Sequence, residues 1–407
     1  MKGQGGMSDD NRNKWIFFSL GWLGMVLYFT QRWIFGPVIP ALMREFQITK
    51  TAVGTIGSAS IMGYMLSPIL AGWLSDRFGR RRAILFGLFG FSGMTVLCGL
   101  AQGPDQLFAA RFLTGVTEPF FFIPLLAFTL ELFPERPGFF LTLMSSGSSL
   151  GWFVGPALAG GLLNSTGNWR SPFWLAGIIG LALGGLLLYF WPKLEIQKPS
   201  GPYFKKGLFK SGRILMLILL GLVAAFQISA EFGFTMWYPA YLELEVGLTT
   251  AVAGIMAGLY GLGQFIGRPV LGWISDRVGY HKVGTISGLA LTLFFILALA
   301  VKHPTSQGLF TLLAGFIGSG VMGALWTSTG LIFSDFKGLA LGLITTLGYA
   351  LATLAPVFIG YIADQHSVGL GLWLVCVPAA FLAAMAFLVS NLVKASAGGQ
   401  SEGGARS

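Results

Sequence analysis

Residues 72–82 read Gly72-Trp73-Leu74-Ser75-Asp76-Arg77-Phe78-Gly79-Arg80-Arg81-Arg82, and 200 residues later the chain reads Gly272-Trp273-Ile274-Ser275-Asp276-Arg277-Val278-Gly279-Tyr280. Pro156 and Gly160 are answered by Pro356 and Gly360 at the same offset of 200. Two matches in one register point to a duplicated unit. Each copy of the first motif sits between apolar runs, so it reads as a short polar turn joining two buried helices.

The runs around it decide what those helices are buried in. The 407 residues are 54% hydrophobic and 10% charged, with 59 glycines and a mean hydropathy of +0.72, whereas soluble proteins carry about 25% charged residues. About 20 apolar residues are needed for a helix to cross about 30 Å of hydrocarbon. Runs of that order fall near 15–40, 51–72, 83–101, 105–131, 139–164, 171–191, 213–242, 249–273, 283–301, 308–333, 338–363 and 368–394. The expected fold class is therefore all-α and integral to the membrane, with twelve spans in two pseudo-symmetric six-helix bundles. The glycines suit close helix packing in lipid. Transmembrane strands would be about ten residues of alternating pattern, which excludes a β-barrel.

The expected organisation is a disordered tail over 1–14, a first bundle over 15–191, a polar linker over 192–212, a second bundle over 213–394 and a disordered tail over 395–407. With the N-terminus inside, 19 Lys and Arg fall on cytoplasmic tails and loops, 4 on outer loops and 3 within spans. The positive-inside rule then places both termini in the cytoplasm, in a plasma (inner) membrane. The formal charge of +10 is topology, and no nucleic-acid partner is expected. Lipid, a small-molecule substrate and protons are the expected partners of a monomer.

Some chemistry is excluded. No GxxxxGK[ST], GxSxG or HExxH pattern occurs, so neither an ATPase nor an intramembrane hydrolase has support, and the chain is not read as an enzyme. Cys98 and Cys376 lie in apolar runs, and His281, His303 and His366 form no metal spacing; no cofactor or metal is expected.

Five ionisable residues lie inside spans, where each costs several kcal/mol unless paired or hydrated. Arg32 lies about 12 Å from the nearer end of span 1 at about 1.5 Å per residue, with Tyr28 one turn earlier and Gln31 beside it. It reads as an anchor for an anion, with a structural salt bridge as the alternative. Arg111 and Glu118 share a face of span 4, and a buried carboxylate beside a cation is poised to exchange a proton; a permanent pair of Glu118 with Arg32 or Arg111 is the alternative. Glu231 lies on a polar stripe with Gln227, Thr235 and Tyr238 and is the second carboxylate suited to proton coupling, against a packing role. Arg268 follows Tyr260 and Gln264 at four-residue spacing. It reads as a second anion contact, against snorkelling to the end about 7 Å away or a pair with Asp276. The aromatic residues Phe120, Phe121, Phe122, Trp326 and Tyr349 could face either an amphipathic solute or lipid.

Residues 72–82 resemble the signature loop between helices 2 and 3 of the major facilitator superfamily, and 272–282 its weaker echo between helices 8 and 9. Leu107 to Gly115, LFAARFLTG, resembles that superfamily's helix 4 motif, with Arg111 as its arginine, and Gly151 to Gly160, GWFVGPALAG, its helix 5 motif. The resemblance implies a secondary transporter working by rocking of two halves, with Gly72, Asp76, Arg77, Gly79, Asp276, Arg277, Gly155 and Pro156 in gating roles. An arginine before proline, as at Arg268, resembles the helix 8 arginine that binds carboxylate in monocarboxylate and oxalate-formate type members. The expected function is proton-coupled movement of a small organic anion. Arg32, Tyr28, Gln31, Arg268, Gln264 and Tyr238 would bind it, and Glu118, Glu231 and Arg111 would handle protons. Proton-driven export of amphipathic drugs, or a non-translocating receptor of the same fold, are the alternatives.

Overall fold

A computed structural model describes residues 9–192, 211–333 and 337–381. Residues 193–210 of the linker, with Lys193, Lys198, Lys205, Lys206 and Lys210, lie outside the described residues, as do residues 382–394 of the last expected span and the C-terminal tail.

Among the described residues there are fifteen helices and no strands, and they occupy the twelve expected segments in order. The first segment is α1 (Asp9–Trp33) and α2 (Phe35–Phe46); α1 starts at Asp9, inside the stretch expected to be a tail. The second is α3 (Lys50–Leu66) and α4 (Pro68–Phe78), bent by 46° at Ser67, because Pro68 offers no N–H to the ladder. Six single helices follow: α5 (Arg80–Leu100), α6 (Pro104–Leu132), α7 (Pro137–Thr166), α8 (Ser171–Tyr189), α9 (Ser211–Leu244) and α10 (Thr250–Val278). Then come α11 (Tyr280–Ala300), α12 (Pro304–Ile332), the broken pair α13 (Lys337–Ala352) and α14 (Leu354–Gln365), and α15 (Val368–Trp373). Eight stretches of these are long and apolar enough to cross a membrane by length and composition, and the α3/α4 pair makes nine. The Gly- and Ser-rich α7 falls outside that set although it is 30 residues long.

The internal repeat is visible in local chemistry. Thr49 and Thr249 cap α3 and α10, accepting hydrogen bonds from the backbone N–H groups of Ala52 (3.1 Å) and Val252 (3.4 Å). Gly79 and Gly279 end α4 and α10 with φ of +94° and +96°, backbone that favours glycine. They mark one end of the molecule, called here the basic end; Thr49, Gly167 and Ser367 lie at the far end.

The same symmetry joins the halves. A Cβ on Gly54 would lie 2.5 Å from the Pro356 carbonyl oxygen, and one on Gly254 2.3 Å from that of Pro156. Likewise a Cβ on Gly360 would lie 2.4 Å from the Lys50 carbonyl and one on Gly160 2.4 Å from that of Thr250. The repeated Pro and Gly thus build two cross-half seams, α3 on α14 and α7 on α10, in which backbones touch because side chains are absent. Gly155 packs instead on Thr30 and Trp33 of α1, within its own half.

Gly72, placed in a gating role by the resemblance, packs against no neighbour. A Cβ there, or on Gly272, would meet nothing within 4 Å.

Candidate functional site

Helix α1 carries Tyr28 and Arg32 one turn apart, and α6 carries Glu118 opposite them. Arg32 Nη1 stands 3.4 Å from Glu118 Oε2 and donates to Tyr28 Oη at 3.0 Å, while Tyr28 Oη donates to Glu118 Oε2 at 3.4 Å. The Arg32 and Glu118 side chains are 2% and 1% exposed. Ion pairing takes one edge of the guanidinium; its Nε and Nη2 are buried with no hydrogen-bond partner. Around the guanidinium stand the rings of Tyr64 on α3 at 5.0 Å, Phe232 on α9 at 5.1 Å and Tyr349 on α13 at 5.3 Å. Trp33 stacks on Trp152 of α7 with centroids 4.5 Å apart and meets Phe232 at 4.7 Å. The arginine therefore sits where both halves meet, inside a wall of rings that suits cations and flat π-systems.

Arg32 and Arg111 line one cavity together with Ser60, Trp33, Phe232 and Met236. Arg111 is not paired with Glu118. Its Nε donates to the Ile56 carbonyl at 3.2 Å, its Nη2 to the Gly57 carbonyl at 3.2 Å and to Ser60 Oγ at 3.0 Å, and its guanidinium lies 4.2 Å over the Phe35 ring. These bonds tie α6 to α3 but neutralise no charge. Both guanidinium groups line the cavity, whereas Glu118, the partner of Arg32, does not, and the lining is positively charged.

The other expected contacts go elsewhere. Gln31 turns away from the cavity: its amide donates to the Ala176 carbonyl (2.9 Å) and to Ser92 Oγ (3.3 Å), and it accepts from Thr95 Oγ1 (2.8 Å). It locks α1 to α5 and α8. Tyr238 is wholly buried in the second half, stacked on Phe234 at 4.3 Å, which in turn meets Phe295 of α11 at 4.6 Å. Arg268 reaches neither the Arg32 cavity nor Asp276. Its Nη1 donates to Ser148 Oγ at 2.9 Å and to the Ser145 carbonyl at 3.2 Å, both on α7 of the opposite half, and its Nη2 donates to Gln264 Oε1 at 3.3 Å. Arginine, with five donors, out-competes snorkelling where acceptors face it.

Glu231 is held by neutral donors. Its Oε1 accepts from Gln227 Nε2 (2.5 Å), Tyr260 Oη (2.6 Å) and Gln264 Nε2 (3.1 Å). Of the aromatic residues singled out, Tyr349 borders Arg32 and Phe122 stacks on Tyr28 at 5.8 Å, whereas Trp326 is 41% exposed.

At the basic end, Arg80 bonds Asp76, reaches Ser75 Oγ at 2.9 Å and pairs with Glu131 at 3.1 Å. Arg77 lies over the Trp73 ring at 5.2 Å and Arg277 over Trp273 at 3.8 Å. In the second copy, position 280 is Tyr and position 331, the counterpart of Glu131, is Leu, and Asp276 is exposed. The clasp is complete in one half only. Sequence reading missed Glu131, Ser60, Phe232 and the Trp33–Trp152 pair. In-span charge flags Arg32 but says nothing of which distant rings close on it.

The profile of the Major Facilitator Superfamily matches residues 21–327 and 220–406. The chain belongs to that superfamily. As a member it is a multi-pass membrane protein of a transporter family, not an enzyme. Similar proteins include the cis,cis-muconate transport protein of Acinetobacter baylyi, 26% identical over 348 residues covering 81% of this chain and 83% of that protein. The gentisate transporter of Corynebacterium glutamicum is 26% identical over 356 residues, 84% of this chain and 79% of its own. The D-galactonate transporter of Escherichia coli O6:H1 is 26% identical over 397 residues, 87% and 90%. Among solved structures, a bacterial homologue of the human lysosomal transporter Spinster superposes with a TM-score of 0.75 at 18% identity, covering 92% of this chain and 96% of that one. That likeness bears on the superfamily fold alone.

Proposed function

We propose that this superfamily member moves a small organic anion, a flat conjugated carboxylate, across the membrane by alternating access with proton coupling. One observation carries the reading. Arg32 is buried with two unengaged N–H donors, in a cavity of positively charged lining whose rings come from both halves. A carboxylate accepting from Nε and Nη2 would meet the guanidinium edge in the bidentate geometry that arginine favours, and a conjugated body would stack on the surrounding rings. The names of the relatives that carry muconate and gentisate agree with that class. Glu118 is the proposed proton carrier. When it is ionised, Arg32 is shared between carboxylate and substrate; when it is protonated, the arginine is released to the substrate. Glu231 is the second, weaker coupling group.

Arg268 and Gln264 support the site from the basic end rather than touching the substrate. The halves, proposed as 15–191 and 213–394, rock about the two Pro/Gly seams, with both termini on the cytoplasmic side of an inner membrane and one chain as the working unit. The positively charged lining disfavours cationic drugs as cargo.

A thermal-shift series with cis,cis-muconate, gentisate, 4-hydroxybenzoate, D-galactonate and a cationic dye tests the reading. A ligand at one hundred times its Kd stabilises the native state by about 2.7 kcal/mol, so a conjugated carboxylate should raise the melting temperature clearly. Arg32→Gln should abolish that shift and carboxylate uptake into proteoliposomes, and Arg32→Lys should restore only part of it. Stabilisation by the dye alone, or a carboxylate shift that survives Arg32→Gln, would refute the assignment.

A further inference from the structure

The two seams that shut the far end are related by the repeat, yet at that end only one carries a charge; Arg268 of the α7/α10 seam lies toward the basic end. In the α3/α14 seam, the Asp364 carboxylate of the second half accepts three hydrogen bonds from the first turn of α3 in the first half. Lys50 N donates to Oδ1 at 2.8 Å, and Thr51 N and Thr51 Oγ1 donate to Oδ2 at 2.8 and 2.6 Å. Lys50 Nζ adds a bond to the Ala363 carbonyl at 2.6 Å. The first N–H groups of a helix have no partner within it, and an acid there is favoured by the helix dipole. Thr49, on the same chain segment, satisfies Ala52 N; Asp364 satisfies Lys50 and Thr51 from the other half.

The symmetry-related seam is built differently. Position 164 is Asn, exposed, where the second half has Asp364, and Thr250 and Ala251 stand where the first half has Lys50 and Thr51. Thr250 Oγ1 donates to Glu243 of its own half at 2.8 Å. Across α7 and α10 at this end the contact is glycine on backbone: Gly160 on Thr250, Gly254 on Pro156 and Gly258 on Phe153. Such contacts slide or part without exposing an unpaired charge. Arg44 and Glu243 also face each other across the halves at 3.6 Å, but Arg44 is 67% exposed, and an ion pair in water contributes little.

We propose that Asp364 is a positioning residue of the transport cycle, a carboxylate clasp set by one half on the N-terminus of α3 in the other, which holds the far end shut. The α7/α10 seam has no equivalent and follows. Opening the far end must strip Asp364 from three donors at once. The equilibrium between the far-closed and far-open forms is therefore set at this one corner, whichever solute is carried.

Distances between spin labels test it in the full-length protein, with Cys98 and Cys376 replaced by alanine and labels placed at Ala52→Cys and Tyr361→Cys. Asp364→Asn keeps the shape but weakens the acceptor, and the far-open fraction should rise about tenfold, the order expected from losing charge-assisted bonds. Asp364→Glu should recover most of the closed population, and Asn164→Ala should leave the distribution unchanged. Melting temperatures report separately on folding, and a variant with native melting but a shifted distribution is acting on the equilibrium. If Asp364→Asn is folded and its distances match the wild type, or if Asn164→Ala opens the far end as much, the clasp is not where closure is set. If Asp364→Asn does not fold, Thr51→Val, which removes one of the three bonds, should produce a smaller shift in the same direction; no shift there also overturns the proposal.

Discussion

Among the described residues, two carboxyls are buried, Glu118 and Glu231, and they are stabilised by opposite means. Glu118 is paired with a cation, Arg32, at 3.4 Å, with Tyr28 bridging them. Glu231 accepts from three neutral groups on one oxygen, Gln227, Tyr260 and Gln264. Across the 200-residue repeat, Arg32 corresponds to Phe232, Gln31 to Glu231 and Glu118 to Gly318. Gly318 leaves room for the acid: a Cβ there would lie 3.3 Å from Glu231 Oε1. The scaffold is duplicated, but its polar groups are redistributed. Glu118 compensates the Arg32 charge, because an uncompensated charge in a low-dielectric interior costs several kcal/mol, whereas Arg111, also buried, is held by carbonyl oxygens, a hydroxyl and a ring. Where no cation is in contact, neutral donors can do the work. The first half therefore holds a charge pair, and the second half holds a carboxyl bound by neutral hydrogen-bond donors.

Substituting each carboxyl by its amide breaks or sharpens this contrast. Glu118→Gln leaves Arg32 without a counter-charge, a loss of about 3–5 kcal/mol in buried pairs. Uptake driven by an imposed pH gradient should disappear, and counterflow exchange of pre-loaded substrate should persist, both read in proteoliposomes. A carboxylate ligand should restore more melting temperature to this variant than to the wild type, since it replaces the missing anion. Wild-type pH-driven uptake in Glu118→Gln would remove Glu118 from the coupling step.

Glu231→Gln should cost less, about 1–3 kcal/mol for disturbed bonds to buried donors, and should slow pH-driven uptake without abolishing it. Gln264→Leu, which also cuts the connection to Arg268, should resemble it. If Glu231→Gln proved the more damaging of the two amides, the contrast between a charge pair and a neutral network would have to be reversed.

The smallest effect belongs to a partly exposed pair at the far end. Glu45 accepts from Arg170 (3.0 Å) and Trp169 (2.7 Å), and the hydrogen bond from Arg170, aided by Trp169 and the Arg170 charge, outweighs burial and holds the carboxyl below its ordinary pKa. A depressed carboxyl pKa stabilises the fold above the unfolded value and loses that contribution as pH falls through the folded one. Glu45→Gln should thus lower the melting temperature slightly near neutral pH, as exposed pairs contribute about 0–1 kcal/mol, and the difference from wild type should close in acid. A difference that widened in acid would contradict the sign.

Much of the site was legible one residue at a time. Arg32, Glu118 and Glu231 stand out because charge inside an apolar run is costly whatever surrounds it. The capping threonines and the Gly79 and Gly279 turns follow from local rules, and the repeat doubles each signal. What the spacing could not convey was direction. Arg268 looked like a substrate contact and crosses to Ser145 and Ser148 of the other half; Gln31, next to Arg32, faces the opposite side of α1; Gly72 faces open space.

The sequence alone determined that this chain lives in lipid as a duplicated set of helices, since the count of uncharged runs and the cost of an unpaired backbone group in hydrocarbon leave few other solutions. It also determined which residues carry buried charge. Only the tertiary structure decided which charges meet, that Phe232 and Tyr349 close on Arg32, and that Asp364 caps a helix more than 300 positions away in the chain. Those contacts depend on how one half is seated on the other, and a charge, a ring or a helix end has a partner only once that seating fixes its neighbours.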